Sequence, residues 1–124
     1  MRALAFGLLA ICMATVVLAE PAAEWRLSPK ATRDAVRGTV EAQIAALRAG
    51  KFAEAYELAA SGIRRQFTPA VFAAMLKRGY PPIVADWRFE AGTVRDDRER
   101  HAQVVYTFID ARETERRYRY TLVM

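Results

Sequence analysis

The sequence predicts a two-layer α+β domain, and three observations carry that prediction. Up to Leu76 the apolar residues recur at every third or fourth position, as they do on a helix that buries one face. At Gly79-Tyr80-Pro81-Pro82 this rhythm stops on residue types that do not carry a helix forward. Beyond it the apolar side chains return at every second position, the rhythm of a strand with one buried face. Helices precede strands, and the simplest assembly lays one layer on the other.

The amino terminus is set apart from the domain. Met1-Arg2 supplies one positive charge, Ala3 to Leu18 is a nearly unbroken apolar run, and Val17-Leu18-Ala19 offers small side chains at the two positions that export peptidases read. Residues 1–19 therefore read as a signal peptide cut before Glu20, and the expected location is the periplasm or the exterior. A membrane anchor is the competing reading, but the run is at the short end of what spans a hydrocarbon core. Membrane contact is expected only through the uncleaved leader. Cys12 follows Ile11, not the small residue that lipidation at a cysteine needs.

Removing 1–19 leaves a chain without cysteine, so neither a disulfide frame nor a thiolate metal site is available. The fold must stand on its apolar core. The full sequence carries 19 basic and 14 acidic residues, and among the basic ones only Lys30, Lys51 and Lys77 are lysine. Arginine suits carboxylate or phosphate recognition, but here the arginines are scattered among acids along the whole chain, as compositional bias alone produces. No nucleic-acid motif is present, and nucleic acid is a poor partner for an exported protein.

Residues 20–31 hold Pro21 and Pro29 without periodicity and read as a tether; the domain spans 32–124. Thr32 is the expected N-cap of a first helix, with Asp34 near its positive end. Val36, Val40, Ile44 and Leu47 form its stripe, and Gly50 is its stop. Gly38 inside it is tolerable if it permits a close approach. Phe52, Ala55, Tyr56 and Ala59 mark a second helix, ended by Ser61-Gly62. Ile63 and Phe67 give a helical turn at most. Thr68-Pro69 opens a third helix, with Phe72, Met75 and Leu76 on one face and Gly79 at its end.

From Ile83 the period of two begins. Trp87, Phe89 and Ala91 point one way, Ala102, Val104, Tyr106 and Phe108 do the same in the next strand, and Tyr118, Tyr120 and Leu122 in the last. The charged turns 96–100 and 110–115 are short, so three strands form an antiparallel meander whose aromatic face meets the helical stripes. Such a meander has two open edges. Arg116, Arg117 and Arg119 on the last strand are charges of the kind that discourage stray pairing.

The string 42–48 (AQIAALR), then 53–56 (AEAY), 60–64 (ASGIR) with Phe67, Phe72 and Met75, and 79–83 (GYPPI), resembles the DUF4864 family. Residues 103–106 (QVVY) and 118–120 (YRY) fall where that family has strands. Its members are small, mostly exported bacterial proteins of unknown function. The resemblance implies an NTF2-like or cystatin-like cone, in which about three helices cap the concave side of a bent sheet and often leave a pocket. Members usually continue through a turn into a further tryptophan-containing strand, so the resemblance implies a sheet lacking its last strand here.

No catalytic constellation is legible. His101 is the only histidine, so no histidine-rich metal site can be assembled; it starts a strand beside a charged turn, as a solvated histidine does, and Ser61 has no neighbouring base. A cone pocket hosts isomerase- or hydratase-like chemistry when a carboxylate sits inside it, yet Glu90 alternates away from the aromatic face and Asp86 and Asp110 fall at strand ends. No cofactor or metal is implied. The expected role is a non-catalytic binding or protein-interaction module of the envelope, with such an enzyme as the alternative. Tyr56, Arg64, Phe67, Tyr80, Trp87, Tyr106 and Tyr120 are the candidate lining of a pocket for a small apolar or anionic ligand. The same tyrosines at this spacing are what core packing alone demands, and for Arg64 a pairing with a carboxylate such as Glu57 that pins the helix connection is favoured over a clamp on an anionic ligand at the pocket mouth. The open sheet edge offers a second route, to a homodimer or another envelope protein.

Overall fold

The computed structural model describes residues 24–124, together with the backbone of one strand, β1 (Gly7–Cys12). The remaining residues of the expected leader, its cleavage point and the start of the tether lie outside the described residues. Helix α1 (Lys30–Arg48) buries the stripe Val36, Val40, Ile44 and Leu47, each at most 1% exposed. It begins two residues before the expected Thr32 cap. Pro29, at φ −58°, has no N–H to orphan and lends its carbonyl to the Arg33 N–H at 2.9 Å, so no side-chain cap is used. Its end follows the expectation. Gly50 takes φ 75°, its N–H donates to the Leu47 carbonyl, and the Lys51 N–H reaches the Ala46 carbonyl, which together make a Schellman stop.

Helix α2 (Phe52–Glu57) buries Ala55 and Tyr56 and is tied to α1 by Gln43, whose buried Nε2 donates to the Ala55 carbonyl at 3.1 Å. Ser61-Gly62 opens a helix instead of stopping one. In α3 (Ser61–Gln66) the Ala60 carbonyl receives the Ile63 and Arg64 N–H groups, and none of its residues is fully buried. Thr68 caps α4 (Pro69–Gly79) by accepting the Val71 N–H at 3.3 Å, as the sequence predicts. Tyr80-Pro81-Pro82 does break α4, yet the prolines then start the single turn α5 (Pro81–Val84), because a proline ring suits a first helical turn. Among the described residues there are five helices where about three were expected, and the strand rhythm begins at Arg88, not Ile83.

The expected meander forms the middle of an open antiparallel sheet. Strand β5 (His101–Ile109) pairs with β6 (Glu115–Val123) along its whole length, from His101 opposite Val123 to Ile109 opposite Glu115. On its other side it meets β3 (Arg88–Ala91) and then β4 (Arg95–Asp96). These two segments act as one strand interrupted at Gly92. The Gly92 N–H donates to the Val105 carbonyl at 2.8 Å, and a Cβ at Gly92 would stand 2.7 Å from that oxygen. By contrast, nothing lies within 4 Å of a Cβ at Gly38, so this glycine serves no close approach.

Two short strands extend the edges beyond the meander. β2 (Arg26–Leu27), inside the expected tether, pairs with β4, and β1 pairs with the outer edge of β6. The helices cover one face of the sheet, on which Tyr106, Phe108, Tyr120 and Leu122 are fully buried against Ile44, Leu47, Leu76 and Ile83.

Candidate functional site

On the helix-covered face the aromatic rings form a connected row. Tyr80 meets Tyr118 edge to face at 5.3 Å, Tyr118 meets Phe108 at 5.8 Å, Phe108 and Tyr106 flank Phe89 at 5.8 Å each, and Tyr106 meets Tyr120 at 5.5 Å. Strand alternation puts these rings there, and helix α1 sets polar groups opposite them. The Tyr106 hydroxyl donates to Glu41 at 2.9 Å. The Tyr120 hydroxyl, fully buried, has no hydrogen-bond partner among the described residues. Burial pushes both phenols well above the usual tyrosine range, and Glu41 adds to the effect at Tyr106, so both stay neutral.

Arg48, one turn after Ile44 on the inward side of α1, ties down the turn that leads into the sheet. Its Nε donates to the Ile83 carbonyl at 3.1 Å and its Nη2 to the carbonyls of Pro82 and Trp87 at 3.3 and 2.6 Å. The guanidinium lies 5.4 Å from the Phe89 ring centre. Burial lowers its pKa, against the opposing fields of Asp86 and Tyr120.

The residues that the sequence singles out fall into two groups. Tyr80, Trp87, Tyr106 and Tyr120 gather around Arg48 and the aromatic row, with Trp87 contributing its carbonyl. Tyr56, Arg64 and Phe67 gather elsewhere, at the junction of α2, α3 and α4. The Tyr56 hydroxyl lies 2.6 Å from the Arg64 carbonyl and 2.5 Å from the Phe67 carbonyl and packs edge to face on Phe72 at 5.5 Å. The Arg64 guanidinium turns outward to Glu57 at 3.4 Å, the pairing expected from the sequence in place of an anion contact. Arg48, Glu41, Gln43 and Tyr118 are not among the lining residues expected from the sequence. For Arg48 a signal existed, since position 48 continues the α1 stripe by one turn from Ile44.

At the other end of the sheet Asp96 is 2% exposed and accepts the Ser28 hydroxyl, the Arg98 backbone N–H at 2.9 Å and the Arg98 Nη1 at 2.7 Å. Burial raises its pKa, but these donors outweigh burial and lower it. Next to it Asp97 accepts the N–H groups of Glu99, Arg100 and His101 at 2.9, 2.9 and 3.0 Å and faces the His101 Nδ1 at 3.3 Å. A half-open cleft of about 460 Å³ lies here, lined by Glu24, Arg26, Asp97, Arg98 and Glu99. Of its lining charges, Glu24 pairs with Arg26, Arg98 with Asp96, and Asp97 faces His101. The described carboxylates with displaced pKa values, Asp34, Asp96 and Asp97, are all displaced downward, away from what a general base near neutral pH needs.

The remaining feature is the outer edge of β6. Tyr118, Tyr120 and Leu122 face the core while Arg117 and Arg119 face solvent. β1 lies antiparallel along this edge, with Leu8 opposite Leu122, Ile11 opposite Tyr120 and Cys12 opposite Arg119, and α3 packs beside it. The edge thus takes an added strand through backbone hydrogen bonds, with α3 as a wall on the helical side.

Fold and edge together define a small α+β domain with an open antiparallel sheet under a helical layer. The chain belongs to the DUF4864 family, a domain of unknown function whose profile matches residues 29–123. No curated protein and no solved structure matches it.

Proposed function

We propose that the chain is an exported, non-catalytic interaction module of the cell envelope, NTF2-like in arrangement, which completes its sheet with an extended segment of another polypeptide along β6. The observation that carries this reading is the antiparallel seat of Gly7–Cys12 on the outer edge of β6. That segment lies inside the apolar run Ala3–Leu18 that reads as an export leader. Cutting before Glu20 removes β1 and frees the edge. A free edge of nine residues is a template for another strand. The well-filled helix-covered face, where Tyr106, Phe108 and Tyr120 are fully buried, supports recognition at the edge over recognition in the core.

Mass spectrometry of protein recovered from the periplasm, native and then denatured, tests this. The expected result is a chain starting at Glu20 that carries a second polypeptide or a second copy. An uncut chain, or a cut chain that stays alone at all concentrations, overturns it. A small-molecule site on the helix-covered face is the second reading, favoured by the unpartnered Tyr120 hydroxyl in the field of Arg48. The same spectra would then show a retained compound of low mass.

A further inference from the structure

We infer that the strand received by β6 is an acidic one, with carboxylates alternating with apolar residues so that the acids stand opposite Arg117 and Arg119 and the apolar residues turn toward α3. This rests on the edge reading above and adds the chemistry of the partner. On β6 the solvent-facing arginines outnumber their counter-charges. Arg117 meets Glu115 at 3.7 Å with both side chains largely exposed, and neither Arg116 nor Arg119 has an ion pair among the described residues. Opposite charges directly across two strands stabilise their pairing and like charges oppose it. A basic strand is therefore repelled, and so is a second copy in any register that sets Arg117 or Arg119 against itself.

The segment now on the edge satisfies only half of these demands. β1 covers β6 from Arg119 to Val123, and among the described residues no strand pairs with Glu115 to Tyr118 on that side. Residues 1–19 contain no acidic residue, so the leader covers the backbone edge but brings no counter-charge to the arginines. An acidic strand of about nine residues would cover the entire edge and neutralise it. The helical side of the slot fits the apolar half of the pattern, because the half-buried Ile63 and Phe67 on and after α3 pack against the core cluster with part of their surface still uncovered.

The test uses the full-length chain and the chain recovered from the periplasm, with fluorescent nonapeptides alternating valine with glutamate or valine with lysine, followed by fluorescence anisotropy. The glutamate peptide is expected to bind the recovered chain about tenfold more tightly than the lysine peptide, from two cross-strand charge pairs. The full-length chain is expected to bind it more weakly, and the double variant Arg117→Glu, Arg119→Glu to invert the preference. Methylating every second backbone nitrogen of the glutamate peptide should abolish binding in one of the two possible phases, since only alternate amides face β6. Equal binding of the glutamate and lysine peptides overturns the acidic partner and leaves the edge reading intact. Binding of neither, or insensitivity to both methylation phases, overturns the edge reading itself.

Discussion

Arg98 folds back onto Asp96 two residues earlier, with Nη1 2.7 and 2.8 Å from the two carboxylate oxygens, from a left-handed backbone at φ 60°. Its Nη2 also donates to the Leu27 carbonyl at 2.7 Å, so one side chain joins the hairpin turn to β2. Replacing Asp96 with alanine leaves Ser28 and Arg98 without their acceptor in a buried place. The expected loss is about 2–3 kcal/mol by urea unfolding. Hydrogen exchange at Ser28, whose N–H bonds the Val94 carbonyl, should accelerate more than exchange at β6.

Acid sensitivity should trace to Asp97. Burial alone would raise its pKa, but the N–H groups of His101, Glu99 and Arg100 outweigh burial and bring it to about 2, below the ordinary 3.8. A folded-state pKa below the unfolded one means that the contribution is fully present above about pH 4 and is lost as pH falls toward 2. Unfolding free energies measured across that window should show a shallower pH slope for Asp97→Ala than for the parent chain. An unchanged slope would contradict the assignment.

Two glycines should respond to alanine with opposite sign. At Gly92 the new methyl meets the Val105 carbonyl oxygen, and a loss of roughly 1–3 kcal/mol is expected. At Gly38, exposed in mid-helix with open space around it, alanine should stabilise by about 0.5–1 kcal/mol. Thermal melts of the two variants decide both.

Tyr120→Phe removes a buried hydroxyl that has no partner, so a gain of about 1 kcal/mol is expected. Tyr106→Phe, which removes the bond to Glu41, should instead lose about as much. A destabilised Tyr120→Phe variant would mean that this hydroxyl is bonded in solution, in favour of the small-molecule reading.

Repetition and local chemistry account for what could be read from the residues alone. The α1 stripe, the Gly50 stop, the Thr68 cap and the period-two faces of β5 and β6 each depend on a handful of neighbouring side chains. Ser61-Gly62 misleads because poor helix formers look like a stop, whereas the free Ala60 carbonyl lets them begin a turn. Pro81-Pro82 misleads because proline forbids the middle of a helix but not its start. Arg26–Leu27 is too short to show any period, and its partner lies some seventy residues away. The clustering of Tyr80, Trp87, Tyr106 and Tyr120 followed from strand alternation, but the arginine among them depends on contacts 34 to 39 residues distant.

That arginine has a wider implication. The bend from Pro82 to Trp87 has three of its carbonyls held by Arg48, a donor 34 to 39 residues away in the sequence. Its shape thus depends on α1 as well as on the prolines that start its own turn. Grafted alone onto a foreign scaffold, residues 80–87 would arrive as an unlatched joint, while a transplant bringing α1 along would keep the corner set.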